Sequence, residues 1–325
     1  MLSIEIFDSL EAVEPDWLAL ASAGAARHVF FTPEWARVWL ETSGAGKPRL
    51  LKVKHDGRLI GLVPLLRKDG VTTLLGDKEV CDYLDVLAVP GEETRVVEAL
   101  LEDFEAGGGV LDLLPLRPDS VLFQLLPALA EKQGLRLTTE MIDVSFDLPL
   151  PSSWEEYLKA LKGKDRHELR RKLRNLGKSG ETLFCTVPPN SGNLRDFFHL
   201  FRVSREDKEA FMTPGREAFF TRLGHDLGEM GWVQLSFLEL DGKRVAAALC
   251  FDYGDAISLY NSGYEPEFGP LSVGLLCKAM TIRQAVEKGR KVYDFLRGAE
   301  DYKFHLGGKP FSIYRMVLSH RQERA

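Results

Sequence analysis

Alternating hydrophobic and polar positions predict an antiparallel strand pair in each half of the chain. The first pair turns at Asp56-Gly57 and the second at Asp241-Gly242, and Asp-Gly is a dipeptide that favours a tight hairpin turn. A helical pattern precedes each pair and begins with Thr-Pro, at Thr32-Pro33 and Thr213-Pro214. Threonine caps helix N-termini well, and proline fits the first helical position. Each half therefore predicts a helix followed by a β-hairpin.

The same order of elements occurs twice. Three landmarks keep a nearly constant spacing: Pro33 and Pro214 are 181 positions apart, Asp112 and Asp294 are 182 apart, and Gly57 and Gly242 are 185 apart. This predicts a duplicated α+β unit, in which an antiparallel meander is followed by a helix and a strand that returns to the sheet. We place the linker at 143–151, where proline and serine cluster, and expect domains at 1–145 and 152–325.

Composition narrows the class of protein. A hydrophobic content of 45% and a charged content of 28% over 325 residues are typical of a globular protein with two domains. The net charge of −6 gives no overall basic field for nucleic acid. The four cysteines are far apart and form no CxxC pair, so we expect free thiols and no metal site. No signal peptide or transmembrane run is visible, and we expect a cytoplasmic protein. The oligomeric state is not predicted.

The stretch from Trp154 to Lys178 has no counterpart in the first half. Leucines at three- and four-residue steps predict a helix, broken near Gly163. Between Lys159 and Lys178 there are nine Lys/Arg residues and two acids, a local charge of +7. Three readings are open: a solvated face, an anion site, or a tRNA site. One helical face carries three arginines, which are the best candidates for binding an anionic substrate: Arg166, Arg170 and Arg174.

A charged motif follows the last apolar run of the second half. The stretch YDFLRGAEDYKFHLG, from Tyr293 to Gly307, resembles the closing signature of the BioF2-like and CelD-like acetyltransferases, a branch of the GNAT superfamily related to the Fem peptidyltransferases. That signature has an F-D-F type strand, an R-G-x-E/D turn, and Y-K before a downstream glycine. The resemblance covers roughly 154–309 well and the N-terminal half only loosely.

The resemblance implies a fold and an activity. The expected fold is α+β, with tandem GNAT-like domains whose mixed, mostly antiparallel sheets are flanked by helices. The expected activity is N-acyl transfer from acetyl-CoA or a longer acyl-CoA to an amine on a small molecule or on an envelope or polysaccharide precursor. Two alternatives stay open: a Fem-type transferase that uses aminoacyl-tRNA as donor, and a non-catalytic accessory protein of polysaccharide assembly.

The resemblance also locates the donor. In a GNAT domain the pyrophosphate of acyl-CoA lies on a helix N-terminus, which here is the segment GPLSVGLLCK, with Ser272, Val273 and Gly274 as the binding residues. This segment departs from the usual Q/R-x-x-G-x-G/A pattern because it lacks the leading Q/R and is poor in glycine. The alternative is a plain serine cap without a ligand.

Acyl transfer to an amine needs a proton acceptor and a donor group for the oxyanion or the leaving thiolate. The candidates in the closing motif are Asp294, Arg297, Tyr302 and Lys303. If the segment is extended, Lys303 points opposite to its aromatic neighbours and into the cleft. Further residues are expected to contact the acceptor: Tyr260, Asn261, Tyr264 and Glu300. The alternatives are a strand-end hydrogen bond for Asp294, a local ion pair for Arg297 and Glu300, and aromatic packing for the tyrosines.

Overall fold

The computed structural model of the protein describes residues 1–24, 27–43 and 46–320. It divides into two compact units. The first unit comprises Met1–Val144 together with the chain from Ser312 onward, and the second comprises Ser145–Phe311. Within the described residues, no helix combines the length and the apolar character that crossing a membrane requires.

The elements follow one another in the order that the hydrophobic pattern indicates. Up to the linker they are β1 (Leu2–Phe7), α1 (Glu14–Ser22), α2 (Pro33–Ser43), β2 (Lys47–His55), β3 (Arg58–Lys68), β4 (Val71–Leu74), β5 (Leu87–Ala88), α3 (Glu93–Gly107), β6 (Val110–Leu116), α4 (Val121–Lys132) and β7 (Arg136–Pro149). After it they are α5 (Trp154–Ala160), α6 (Gly163–Lys178), β8 (Thr182–Val187), α7 (Ser191–Val203), α8 (Glu206–Phe211), α9 (Pro214–Glu229), β9 (Val233–Leu240), β10 (Lys243–Tyr253), β11 (Ala256–Tyr264), α10 (Val273–Glu287), β12 (Val292–Arg297), α11 (Asp301–His305) and β13 (Lys309–Ser319). Short 3₁₀ helices cover Val29–Phe31 and Pro266–Leu271.

In the first unit the strands follow the order β1-β2-β3-β4-β6-β13. Neighbours pair antiparallel except β4 and β6, which are parallel. The predicted hairpin is present between β2 and β3, where Asp56 and Gly57 both have positive φ angles, of 50° and 77°. The predicted cap is also present, since Thr32 Oγ1 accepts a hydrogen bond from the Trp35 amide at the start of α2.

The second unit repeats this plan, with the order β7-β12-β11-β10-β9-β8. Its hairpin between β9 and β10 turns at Asp241 and Gly242, with φ angles of 50° and 76°. Strands β11 and β12 are its parallel pair, and they are in register only from Ala256 to Ser258 against Val292 to Asp294. Both units are therefore α+β with mixed, mostly antiparallel strand pairing, as the sequence predicts.

Each unit is completed by a strand from an unexpected part of the sequence. In the first unit β6 pairs with β13, the last strand of the chain. In the second unit β12 pairs with residues 145–149, the end of β7. The second unit thus differs from the predicted 152–325 domain at both ends, because it begins earlier and does not contain the chain from Ser312 onward. Periodicity identifies a strand but not its partner, since one alternating pattern fits several neighbours.

The predicted basic helix is present as α5 and α6, with the break before Gly163. Ser153 caps α5, because its Oγ accepts a hydrogen bond from the Glu156 amide. On α6, Leu169 and Leu176 are buried, and they define the face that packs against the rest of the second unit, including α10. The charged residues of α6 lie at its other positions.

Candidate functional site

The site begins where β11 and β12 separate. Beyond Asp294 the register of β12 shifts, and Leu296 adopts a left-handed φ of 57°, which is costly for a branched side chain. The buried Asp294 carboxylate stabilises this bulge, because its Oδ1 accepts a hydrogen bond from the Leu296 amide at 2.7 Å. The two parallel strands then leave a gap at their C-terminal ends, which is where ligands bind in open parallel arrangements. Asp294 therefore shapes the gap through the backbone.

Lys303 does not point into this gap. Its ammonium donates hydrogen bonds to the carbonyls of Leu296, Arg297 and Gly298 at 2.9, 2.7 and 2.9 Å, and it lies 2.9 Å from the Glu300 carboxylate. The side chain is 1% exposed. An ammonium has three N–H donors, and four oxygens lie within hydrogen-bonding distance of it, so none of its donors is left without an acceptor.

The prediction that Lys303 lies in an extended segment is wrong, because residues 301–305 form α11. Because this segment is helical, the Lys303 side chain lies against the end of β12 and does not point opposite to its aromatic neighbours. Arg297, a second predicted catalytic residue, offers its carbonyl to the same ammonium. Burial raises the pKa of Glu300, but the charge and hydrogen bond of Lys303 outweigh this, so the pKa lies below its ordinary value and the group is ionised at neutral pH.

A cavity of about 230 Å³, here called the α10 cavity, lies between the start of α10 and the gap. It is lined by Tyr264 at the end of β11, Tyr302 on α11, and the side chains of Lys172 and Lys278. The Lys278 ammonium lies 4.6 Å from the centre of the Tyr302 ring and donates to the Gly274 carbonyl at 3.2 Å. Burial lowers the pKa of Lys278 and raises that of Tyr302, so the Tyr302 phenol keeps its proton at neutral pH.

The start of α10 suits an anion. Ser272 has left-handed angles (φ 58°, ψ 33°), its side chain does not cap the helix, and the first turn contains no acidic residue. The first N–H groups of a helix have no intrahelical acceptor, and the helix dipole favours negative charge there. Glycine is required at 274, because a Cβ there would lie 2.8 Å from Tyr264 Cδ1. Lys278, 9% exposed, adds a buried positive charge to this helix terminus.

The corresponding helix of the first unit is built differently. By the spacing of the repeat, α3 is the counterpart of α10, but its N-terminus carries Glu92 and Glu93. The Glu93 carboxylate accepts a hydrogen bond from the Gly91 amide at 2.8 Å. An anion at this end of α3 would meet two carboxylates. Of these two helices, α10 is the one whose terminus favours a phosphate.

A second cavity, here called the α6 cavity, adjoins the first and has a volume of about 300 Å³. Leu169, Leu275 and Leu306 form its apolar wall, and its polar lining is Lys164, Asp165, Glu168, Lys172 and His305. The two cavities share Lys172 and Leu275. Lys172 therefore lies between them.

The predicted arginine row lies elsewhere. None of Arg166, Arg170 and Arg174 lines either cavity, and the Arg166 guanidinium donates to the Lys159 carbonyl at 3.1 Å. Lys172 is the basic residue of α6 that lines both cavities, and sequence reasoning passed it over. The available signal was its spacing, since Lys172 follows the buried Leu169 by three residues and precedes the buried Leu176 by four.

Of the three predicted acceptor-binding residues on β11, one lines the α10 cavity and two do not. Tyr264 lines the α10 cavity, but the Tyr260 ring packs 4.8 Å from the Phe251 ring and 5.7 Å from the Phe220 ring, which is aromatic core packing. Asn261 pairs with Leu249 in the ladder and does not line the cavity. Five of the predicted residues therefore meet at one cavity: Tyr264, Ser272, Val273, Gly274 and Tyr302.

Lys208 on α8 is a second residue that the sequence did not reveal. Its ammonium donates to the Ser262 carbonyl at 2.5 Å and lies 4.9 Å from the centre of the Phe201 ring. Burial, followed by the charges of Lys278 and Arg205, lowers the pKa of Lys208 to about 8. The signal was weak because α8 is short and rich in acidic residues.

Comparison with known proteins agrees with this geometry. Residues 163–304 match the model of the acetyltransferase (GNAT) domain family. No curated protein matches the sequence. The match spans α6, the start of α10 and most of α11, so it includes both cavities except Leu306 and His305.

Several solved structures share the fold across nearly the whole chain. FemX superimposes with a TM-score of 0.67 at 14% identity, covering 96% of both chains. L-PGS from Bacillus licheniformis has a TM-score of 0.55 at 12% identity, covering 89% of this chain and 92% of its own. A tandem GNAT protein from the clavulanic acid biosynthesis pathway has a TM-score of 0.51 at 14% identity, covering all of both chains. Residues 163–304 are therefore similar to a GNAT acetyltransferase domain, which supports an acyltransferase, and the chain as a whole shares the fold of FemX and of the tandem GNAT protein.

Proposed function

We propose that the protein is an acyl-CoA-dependent N-acyltransferase whose donor binds in the second unit. The observation that carries this proposal is the contrast between α10 and α3. The first turn of α10 is free of acids and is flanked by Lys172 and Lys278, whereas α3 begins with two glutamates. The pyrophosphate of acyl-CoA would lie against the first N–H groups of α10. The acyl group is acetyl or longer.

The gap between β11 and β12 would receive the thioester. Attack by the acceptor nitrogen on the thioester carbonyl forms the C–N bond and breaks the C–S bond. The Tyr302 phenol, which burial keeps protonated, is placed to give its proton to the leaving thiolate. The ionised Glu300 carboxylate can hold the acceptor as an ammonium ion, and the neutral form of Lys208, whose pKa is about 8, can take the first proton that this ammonium loses. The second proton leaves the nitrogen as the amide forms and replaces the one that Tyr302 gives to the thiolate.

Lys303 and Asp294 act on the backbone in this proposal, and Arg297 contributes its own carbonyl to Lys303. Lys303 holds three carbonyls and Asp294 holds one amide, so together they keep the end of β12 turned away from β11. The gap exists because of them. We assign them as positioning residues rather than catalytic ones.

The acceptor that we propose is an amine on a small molecule or on an envelope or polysaccharide precursor, as the family resemblance implies. The four free thiols fit a reducing compartment, and we place the reaction in the cytoplasm. A second candidate donor is an aminoacyl-tRNA, which the Fem resemblance implies. The basic surface of α6 favours it, because Arg170 and Arg174 are exposed there and face away from both cavities.

Calorimetry with acetyl-CoA, a longer acyl-CoA and a charged tRNA tests the donor. The most specific variant pair is Leu275→Glu and Leu275→Gln, which differ in charge and hardly in shape. Leu275 is partly exposed in the first turn of α10, where a carboxylate stabilises the helix itself. We expect Leu275→Glu to bind acyl-CoA at least roughly tenfold more weakly than Leu275→Gln, because one added charge opposes the phosphates by about 1.4 kcal/mol or more.

Equal acyl-CoA affinity in the two variants would rule out the start of α10 as the phosphate site. Binding of charged tRNA without binding of any acyl-CoA would replace the first donor with the second. If the wild type binds an acyl-CoA but transfers its acyl group to no amine in a panel of acceptors, the protein is a binding member of an assembly system instead.

A further inference from the structure

The α6 cavity has no role in the transfer chemistry, yet it opens beside the donor site. Lys172 and Leu275 line both cavities, whereas Tyr264 and Tyr302 line only the α10 cavity. A ligand with phosphates near Lys172 can therefore extend into both. The volume of about 300 Å³ lies at the lower end of the range for small-ligand sites.

The lining of the α6 cavity has a mixed character. Leu169, Leu275 and Leu306 give an apolar wall without an aromatic ring. Asp165, 14% exposed, presents a carboxylate whose Oδ1 lies 2.8 Å from His305 Nδ1, and Lys164 adds an ammonium. Aliphatic walls can enclose a flat heterocycle, the carboxylate can accept from an exocyclic amine, and the ammonium can contact a phosphate. An unbranched acyl chain would offer no polar partner to the Asp165 carboxylate or to the Lys164 ammonium.

We propose that the α6 cavity binds the adenosine end of the donor, an inference that rests on the donor site proposed above. In acyl-CoA the phosphates separate the pantetheine arm from the adenosine. The pantetheine arm must follow the α10 cavity to bring the thioester to Tyr302, so the adenosine is left for the cavity on the other side of Lys172. An aminoacyl-tRNA ends in the same nucleoside, and its 3′-terminal adenosine has the same chemistry.

This assignment gives helix α6 a function in ligand binding. It has no counterpart in the first half of the sequence, and it supplies Lys164, Asp165, Leu169 and Lys172 to the cavity. Among its described residues, the first unit has neither this helix nor an acid-free start of α3. Nucleoside and phosphate recognition therefore coincide in the second unit.

Three ligands separate the parts of the donor: CoA, 4′-phosphopantetheine, which lacks the adenosine with its 5′- and 3′-phosphates, and 3′,5′-ADP, which lacks the pantetheine arm. For the wild type we expect CoA to bind at least roughly tenfold more tightly than 4′-phosphopantetheine, and 3′,5′-ADP to compete with CoA. If the wild type binds CoA and 4′-phosphopantetheine with affinities within twofold of each other, the proposal is overturned, but the proposed donor is not.

Two variants change the cavity. Leu169→Trp fills it, and Leu176→Trp, at a buried position two turns later on α6 that lines neither cavity, is its matched control. Asp165→Leu removes the carboxylate and serves if the tryptophan variants do not fold, as judged by melting. We expect Leu169→Trp to lower the ratio of CoA to 4′-phosphopantetheine affinity about tenfold without changing 4′-phosphopantetheine binding, and Asp165→Leu to lower it severalfold. The preference for CoA that remains comes from its additional phosphates.

The remaining outcomes are also decisive. An unchanged ratio in both Leu169→Trp and Asp165→Leu overturns the proposal. The proposal is also overturned if the affinity for acyl-CoA rises with acyl chain length in the wild type but not in Leu169→Trp, because the cavity would then hold the acyl chain.

If only charged tRNA binds, we compare it with a tRNA whose 3′-terminal adenosine is replaced by cytidine. This replacement should weaken binding to the wild type but not to Leu169→Trp, and equal weakening in both proteins overturns the proposal. If neither donor binds, the proposed function fails, and binding of 3′,5′-ADP that Leu169→Trp abolishes would still establish the pocket.

Discussion

At the scale of single residues, the closing motif combines structural and chemical roles that the sequence could not separate. Tyr302 and Lys303 are neighbours in the chain, but Tyr302 lines the α10 cavity while Lys303 is buried against three carbonyls. The sequence identified the motif correctly as the place where charged residues follow a buried strand. It could not show which charges point outward, because that depends on the single turn of helix at 301–305.

Lys303→Met should therefore destabilise the fold. Removing the ammonium leaves three inward-facing carbonyls without their donor, and we expect a loss of about 3 kcal/mol in the free energy of unfolding. Urea denaturation measures this, with Lys309→Met, at an exposed position, as the control. A Lys303→Met protein that unfolds at the wild-type urea concentration but has lost its transferase activity would instead make Lys303 a catalytic group.

The lowered pKa of Lys208 predicts how the folding stability depends on pH. Burial, with Lys278 and Arg205 nearby and Glu300 and Asp207 opposing them, lowers its pKa from 10.5 to about 8 in the folded protein. Between these values the unfolded chain binds more protons, so this group makes the wild type more stable as the pH rises from about 8 towards 10.

The comparison with Lys208→Met isolates this effect, because the other titrating groups are common to both proteins. Relative to Lys208→Met, the wild type should gain about 2 kcal/mol of stability between pH 7 and pH 9.5. Denaturation at several pH values tests this. A difference that stays constant, or one that shrinks as the pH rises, would mean that Lys208 has an ordinary pKa.

At the scale of elements, α6 shows what a charge pattern can and cannot reveal. Its existence, its break before Gly163 and its positive charge all follow from the sequence. Its orientation does not, because it is set by where Leu169 and Leu176 find a surface to pack against. The helix turns Lys172 towards the cavities and the arginine row away from them.

This orientation predicts unequal effects of two similar substitutions. Lys172→Gln should weaken acyl-CoA binding about tenfold, because it removes a charge beside the phosphates. Arg170→Gln, two residues away on the same helix and on its outer face, should change acyl-CoA binding less than twofold. The same calorimetric titration serves both variants, and equal losses would show that the helix acts as a general basic field rather than through one residue.

At the scale of the whole molecule, the duplication was readable from spacing, whereas the strand partners were not. The order of elements, the two hairpins and the helix caps follow from local signals such as Asp-Gly turns and Thr-Pro starts. The pairing of β13 with β6 and of the end of β7 with β12 depends on contacts far apart in the sequence. Local patterns carry no information about such partners.

Removing the last strand should therefore affect the first unit. In a chain that ends at Phe311, β6 loses its neighbour, and the amides of Val110–Leu116 should exchange with solvent faster, while those of Val292–Arg297 keep their protection. Hydrogen exchange followed by mass spectrometry reads both segments in one experiment. Loss of protection in β12 with an unchanged β6 would contradict the strand assignment.

The central claim is that, of the two related helices, α10 binds the donor and α3 does not. The number of acyl-CoA molecules bound per chain tests it most directly, by calorimetry on the wild type, Leu275→Glu and Glu93→Gln. The structure predicts one molecule per chain, a severe loss in Leu275→Glu, and no change in Glu93→Gln, because Glu93 belongs to the helix whose terminus is already occupied by its own carboxylates. Two molecules per chain, or one molecule whose binding survives Leu275→Glu, would contradict it.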